Sequence, residues 1–269
     1  MNQNKVKARL KAGEAVVGSW LAIPSAVSAR FMAQLGFDYL CVDMEHQPID
    51  IETASAMFTA IASSGMTPLA RIPWNTAENI KRVLDCGAHG IVVPMVNTRA
   101  EAEAAVAAAK YPPTGIRSVG GVLHAMSFNT DAASYYARAN DEILVVVQAE
   151  SPQGVANADE ILSVPGVDAV FIGPNDLLSM MGQTPQMENK SQEFVDALAH
   201  IVKTADKYGV APGIHTANHE ACNRRMGEGF RFMAIASDAR FVVAGAQAEL
   251  SKTVIPGRGA EGSREVLRY

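Results

Sequence analysis

The chain is poor in cysteine: three residues, Cys41, Cys86 and Cys222, with no CxxC pair among them, argue against a disulfide framework and against a cysteine-built zinc site. It has no excess of basic charge. Lys and Arg total 23 against 28 Asp and Glu, a net charge of −5, and no basic stripe is present to track a phosphate backbone, so no nucleic-acid partner is expected. No apolar run reaches the roughly 18 residues that a bilayer span needs. The start "MNQNKVKARLKAGEA" carries no apolar signal core, so a cytoplasmic protein with no membrane partner is the expectation. No GxGxxG or Walker loop appears, which removes the usual nucleotide-cofactor cradles.

What the chain does have is core material, with 48% hydrophobic against 19% charged residues over 269 positions. That length suits a single alternating strand–helix barrel, so one domain spanning 1–269 is expected. Short β-rich runs fall at 15–22, 39–44, 67–72, 90–96, 142–150, 168–174, 211–216 and 232–237, with helix-like segments between them. Eight strands in regular alternation with helices predict an α/β protein of the (β/α)8 TIM-barrel class. Two regions break the repeat. Residues 111–141 form a Pro- and Gly-punctuated insertion that reads as a functional loop, and the tail "IPGRGAEGSREVLRY" is expected to be mobile or used in subunit contacts.

In this architecture chemistry gathers where the strands end. Strand 2 runs from "YLCV" into Asp43, Glu45 and His46; strand 3 ends at Arg71; strand 5 ends at Gln148 and Glu150; strand 6 leads through "FIGPNDL" to Asp176. Side chains alternate along a strand, so Gln148 and Glu150 share one face, with Val146 placing that face inside the barrel. Glu150 and Asp176 both follow strongly apolar strands, where an unpaired carboxylate is costly. Together they predict a site for a hard divalent ion such as Mg²⁺ or Mn²⁺. Backbone N–H groups around Gly173–Pro174–Asn175–Asp176 are placed to receive a substrate carboxylate. Arg71 suits an enolate oxygen, and an imidazole such as His46 suits a general base near neutral pH. Every lysine falls in a predicted helix, helix end or terminus, so a Schiff-base mechanism has no lysine at a strand end and a metal enolate is favoured. Taken by pattern alone, Asp43 and Glu45 are ordinary loop-start charges and Asp85 is a solvated helix acid.

The ordered segments "GSWLAIPSA", "GFDYLCVDMEHQPID", "ARIPWNTAENIKRVLDCGAHGIVVPMV", "YPPTGIRSVGG", "VVQAESPQGVANADEIL" and "GVDAVFIGPNDL" resemble the HpcH/HpaI family of metal-dependent pyruvate aldolases. The family includes 4-hydroxy-2-oxoheptanedioate aldolase and 2-dehydro-3-deoxyglucarate aldolase, and the resemblance runs from about residue 5 to residue 250. It implies a barrel of the phosphoenolpyruvate/pyruvate-domain type. His46 matches the base of the "EH.P" motif, acting through a water on the metal, and Asp85 in "KRVLD" matches the acid that raises its basicity. Arg71 matches the enolate-stabilising residue, and Glu150 and Asp176 match the two ligands of Mg²⁺, Mn²⁺ or Co²⁺. Gln148, Gly173 and the residue at 175 match pyruvate contacts, and Asp43 joins the water network. Trp20 shapes the aldehyde side, with Ile214 of "PGI" also in the substrate-binding set. The implied partners are pyruvate and an aldehyde, or the 4-hydroxy-2-oxo acid they form, together with further copies of the chain in a hexamer built as a trimer of dimers, last helices exchanged.

Four positions in three segments depart from the family pattern. Asn175 stands where a small Ala or Ser is usual, "EHQPID" replaces "EHAPND", and His215 replaces an apolar or small residue after "PGI", favouring a polar or acidic aldehyde. Two competing readings are a CoA-ester lyase of the citrate lyase β-subunit type, which has no need for His46, and a non-catalytic barrel that binds a 2-oxo acid.

Overall fold

The computed structural model describes residues 1–254, so the tail 255–269 and the roles expected for it lie outside the described residues. Eight parallel strands form in sequence order: β1 (Val16–Leu21), β2 (Tyr39–Asp43), β3 (Thr67–Arg71), β4 (Gly90–Val93), β5 (Leu144–Gln148), β6 (Ala169–Ile172), β7 (Ala211–Thr216) and β8 (Phe232–Ser237). Pairing of β8 with β1 closes the barrel. Each expected run yields a strand, often shorter than the apolar stretch that signalled it.

The returning helices begin at side-chain caps. Ser25, Asp50, Thr76, Thr98, Asn218 and Ser237 each accept the N–H of the third residue onward, starting α2 (Ala26–Met32), α3 (Ile51–Ala62), α4 (Ala77–Asp85), α5 (Arg99–Ala109), α12 (His219–Gly227) and α13 (Asp238–Leu250). Thr98 and Glu101 complete a reciprocal capping box. α11 (Gln192–Tyr208) stops at Gly209, whose φ of 66° is the left-handed turn that ends a helix without a Cβ clash. The segment read as one helix after β5 is two, α8 (Pro152–Ala156) and α9 (Ala158–Leu162), divided at Asn157. The insertion is more ordered than a loop, since it folds α6 (Leu123–Ser127) and α7 (Ala132–Glu142).

Two apolar clusters follow from the two-residue period of the strands. Even where strands are fully buried, alternate side chains go opposite ways. Val16, Trp20, Tyr39, Cys41, Leu69, Val92, Leu144, Val146, Phe171 and Phe232 fill the barrel, while Leu40, Val42, Ile91, Val145, Val147 and Ile172 pack outward against helices. An additional helix, α1 (Lys5–Lys11), joins the inner cluster through Val6 and Leu10. The barrel is a packed core, with Gly18 making room for it: a Cβ there would sit 2.4 Å from the Tyr39 ring. The Tyr39 hydroxyl crosses to donate to the Met233 carbonyl at 2.8 Å.

Candidate active site

One step further along the inward-facing positions, the apolar filling gives way to polar groups. Trp20, Asp43, Arg71, Gln148, Gly173 and His215 line a cleft of about 360 Å³ at the C-terminal ends of the strands.

Arg71 is held from three sides. It stands directly beside Asp43 in the β2–β3 register. Its Nε and Nη2 donate to Asp43 Oδ1 and Oδ2 at 2.9 and 2.7 Å, a two-point match of a planar fork to a carboxylate. Nη1 lies 3.0 Å from Glu45 Oε2, and the guanidinium carbon sits 4.3 Å from the Trp20 ring centroid. Asp43 also accepts the backbone N–H groups of Glu45 and His46 at 3.1 and 3.4 Å, folding the chain after β2 back over the rim. His46 is thereby carried to the edge of the cleft with its side chain 55% exposed, Nε2 3.9 Å from Glu45 Oε2. Burial raises the Glu45 carboxyl above its ordinary range against the opposing pull of Arg71.

Glu150 lies deeper, 2% exposed. Its Oε1 accepts the Met95 N–H and its Oε2 the Gln148 side-chain amide, both at 2.9 Å. Met95 has a φ of 53°, an uncommon value for a non-glycine residue, and this turn accompanies the N–H bond to Glu150. Burial pushes the Glu150 carboxyl up to about 8; the Met95 N–H opposes this, while the negative charges of Asp176 and Glu45 reinforce it.

Asp176 arrives from the first turn of α10 (Pro174–Met180), which starts at Gly173. A Cβ on Gly173 would lie 2.7 Å from Glu150 Oε2 and 3.5 Å from Asp176 Oδ2, so both carboxylates converge on a space that only glycine leaves open. The pair offers oxygen donors only, in a place where burial favours the protonated form of Glu150, and two such carboxylates would suit a hard divalent cation. Among the described residues no group of three or more His, Cys, Asp or Glu is placed to hold a metal ion, so this pair is the candidate donor set.

The family model of the HpcH/HpaI aldolase/citrate lyases matches residues 17–244. The chain belongs to this family. It is 36% identical over 244 residues to a hydroxypyruvate/pyruvate aldolase of Rhizorhabdus wittichii, covering 91% of this chain and 96% of that protein. It is 38% identical over 246 residues to a 4-hydroxy-2-oxo-heptane-1,7-dioate aldolase of Escherichia coli, covering 91% and 93%. Among solved structures, an HpcH/HpaI aldolase/citrate lyase family protein from Burkholderia cenocepacia superposes with a TM-score of 0.85 at 31% identity, covering 92% of this chain and 98% of that one.

Against the HpcH/HpaI pattern, the cleft gathers Trp20, Asp43, His46, Arg71, Gln148, Gly173, Asn175 and Asp176, with Glu150 beneath them. Two expected members are elsewhere. Ile214 is a correction: it packs in the outer cluster between sheet and helices, because the inward position of β7 belongs to its neighbour His215. Asp85 ends α4, which runs back antiparallel to its strand, so it sits toward the opposite end of the barrel from His46. There Arg117 Nη2 donates to Asp85 Oδ1 at 2.7 Å. Within one chain Asp85 does not orient His46. Glu45 is the residue that the sequence undervalued, although it opens the "EH.P" motif two residues after Asp43. The His215 ring stacks on Trp20 with centroids 5.6 Å apart and planes 18° apart.

Proposed function

We propose that this chain is a divalent-metal-dependent carbon–carbon lyase, an aldolase that makes or cleaves 4-hydroxy-2-oxo acids through a pyruvate enolate. The observation that carries this reading is the convergence of Glu150 and Asp176 at Gly173, in a cleft shared with His46 and with an Arg71 locked between Asp43, Glu45 and Trp20. Membership in the family and the aldolase names of its relatives support the same class.

Glu150 and Asp176 are the residues that would hold Mg²⁺, Mn²⁺ or Co²⁺; when bound, such an ion supplies Lewis-acid stabilisation of charge on a 2-oxo acid. Gln148 and the backbone N–H groups at Asn175 and Asp176, which the first turn of α10 leaves without helical acceptors, orient the pyruvate carboxylate. His46 removes a proton from the pyruvate methyl group. Arg71 faces the oxygen on which negative charge then develops, and because its supports hold it in place before reaction, little reorganisation is needed. The nucleophilic methyl carbon bonds to the aldehyde carbon, the aldehyde oxygen takes up a proton, and the reverse sequence cleaves the same bond. Asp43 positions Arg71 and the backbone of His46.

The reading extends to a cytoplasmic homo-oligomer, a hexamer built as a trimer of dimers. Its supports are the apolar side chains that α2 and α13 leave exposed, Val27, Phe31, Val242 and Leu250 at 60–71%, and the place of Asp85, which can meet a His46 only on another copy. Among the described residues no helix is long and apolar enough to cross a membrane.

The test is to incubate the protein with pyruvate and a panel of short aldehydes, with Mn²⁺ or with chelator, and to assay 4-hydroxy-2-oxo acid. Metal-dependent product is expected; no product with any divalent ion and any aldehyde sinks the proposal.

A further inference from the structure

The candidate active site occupies one end of the barrel, and a second cleft opens at the other. Its volume is about 400 Å³, and its lining includes Lys7, Leu10, Val106, Lys110, Val167 and Asp168. Lys110 follows α5 and Asp168 precedes β6, so this cleft lies where the strands begin, away from Glu150 and Asp176. Lys7 and Lys110 are only 5% and 3% exposed, and both Nζ groups donate to one acceptor, the Ile143 carbonyl oxygen, at 2.7 and 2.9 Å. Two buried ammonium groups therefore stand side by side.

Among the described residues only one of them has a counterion. Asp168 Oδ2 lies 2.9 Å from Lys7 Nζ and also accepts the Val145 N–H at 2.9 Å. Lys110 Nζ has instead two carbonyl oxygens, those of Asn140 at 2.6 Å and of Ile143, and is in ion-pair contact with no carboxylate among the described residues. The other charged groups nearby do not supply one. Glu142 is taken by the Asn4 N–H and by Arg138, at 2.7 and 2.8 Å, while Asp141 and Lys11 are exposed at the rim. Burial and the like charge of Lys7 push Lys110 down to about 7; Asp168 and Asp141 oppose this. A buried charge that meets no opposite charge is costly, and an anion entering the cleft relieves that cost. Beside the ammonium groups the wall is apolar, formed by Leu10, Val106 and Val167. Gly166 lets the loop after α9 close on α5, since a Cβ there would lie 2.7 Å from Val106 Cγ1.

We propose that this cleft is a binding site for a short-chain monocarboxylate, its carboxylate held between Lys110 and Lys7 and its alkyl chain laid against Leu10, Val106 and Val167. One negative charge is what the site lacks when both lysines are protonated and Asp168 is ionised, and a phosphate dianion would overshoot it. The proposal does not rest on the aldolase reading, because no residue that lines this cleft lines the other one.

The experiment is titration calorimetry of the whole protein with sodium butyrate, with butyramide and inorganic phosphate as comparison probes. One butyrate per chain is expected. Butyramide, which has the same chain and no charge, should bind at least about tenfold more weakly. Because the bound anion holds Lys110 protonated, binding takes up a proton above about pH 7, and butyrate affinity should fall about fivefold between pH 7 and pH 8. Repeating the titration in buffers of different ionisation enthalpy reads that proton directly. Lys110→Met, which keeps the stem and removes the charge, should weaken butyrate about tenfold or more and abolish the proton uptake, whereas a lysine with a purely structural role would leave both unchanged in a folded variant. The wild-type titrations decide even where the variant fails to fold. No butyrate binding, binding without proton uptake, equal binding of butyramide, or a phosphate complex in place of the butyrate one overturns the proposal. Undiminished butyrate affinity in folded Lys110→Met overturns it as well.

Discussion

Gly173→Ala adds one methyl group to the point where the two carboxylates meet. The glycine has φ −91° and ψ 102°, values open to any residue, so the backbone itself resists nothing. The methyl would sit 2.7 Å from Glu150 Oε2, 3.5 Å from Asp176 Oδ2 and 3.7 Å from Gln148 Nε2. Only the first of these contacts is impossible, so Glu150 must yield by several tenths of an ångström. In doing so it stretches the 2.9 Å bonds from Gln148 and Met95 that aim it. Displacing the groups that orient a ligand costs about 10–100-fold in metal affinity, and the same loss is expected here, about 1.4–2.7 kcal/mol. Global stability should change by no more than about 1 kcal/mol, because the entropic gain of replacing glycine offsets part of the local strain. Titration calorimetry with Mn²⁺ and urea denaturation in chelator read the two quantities separately. Undiminished Mn²⁺ affinity in a folded Gly173→Ala protein would refute the placement of the ion between Glu150 and Asp176.

Three further outcomes are expected. His46→Ala should slow aldol formation by about 10²–10⁴-fold while calorimetry still detects metal and pyruvate binding; loss of pyruvate binding by the folded variant contradicts a base role. Glu150→Gln should lose divalent-ion dependence by losing the ion, and unchanged Mg²⁺ affinity would remove Glu150 from the ligand set. Away from the site, burial pushes the His89 imidazole down to about 3. The folded state therefore stays neutral at His89 while the unfolded chain gains a proton below about 6.5, so stability present above that pH is lost as it falls. His89 alone should account for about 2 kcal/mol between pH 7 and pH 5. Urea unfolding of His89→Gln should show a pH slope shallower by up to one proton, and parallel wild-type and variant curves would show that His89 carries none of it.

The strands and most helices were legible because apolar runs, caps and glycine stops are local signals. The site was legible where the two-residue period continued without interruption, as from Val146 through Gln148, now bonded to Glu150 at 2.9 Å. At β7 the pattern and the resemblance part: His215, whose place near the end of the strand points it to the pocket, lines the cleft, while Ile214, taken from the resemblance, faces the helices. Glu45 was passed over because the chain leaves the strand at Asp43 and the alternation rule stops there; the turn fixed by Asp43 brings Glu45 back to Arg71. The Met95 N–H that steadies Glu150 has no side-chain signature at all, being a backbone group turned by an unusual φ. Asp85 entered through resemblance alone, and its distance from His46 is a consequence of helix direction that no local pattern records.

The most direct measurement is pyruvate methyl-proton exchange in heavy water, followed by NMR with added Mn²⁺ or Mg²⁺, with chelator, and with the Glu150→Gln and His46→Ala variants. The account predicts exchange that requires the divalent ion and is lost with chelator and in either variant. Metal-independent exchange, or none under any metal in a protein that binds pyruvate, would contradict it.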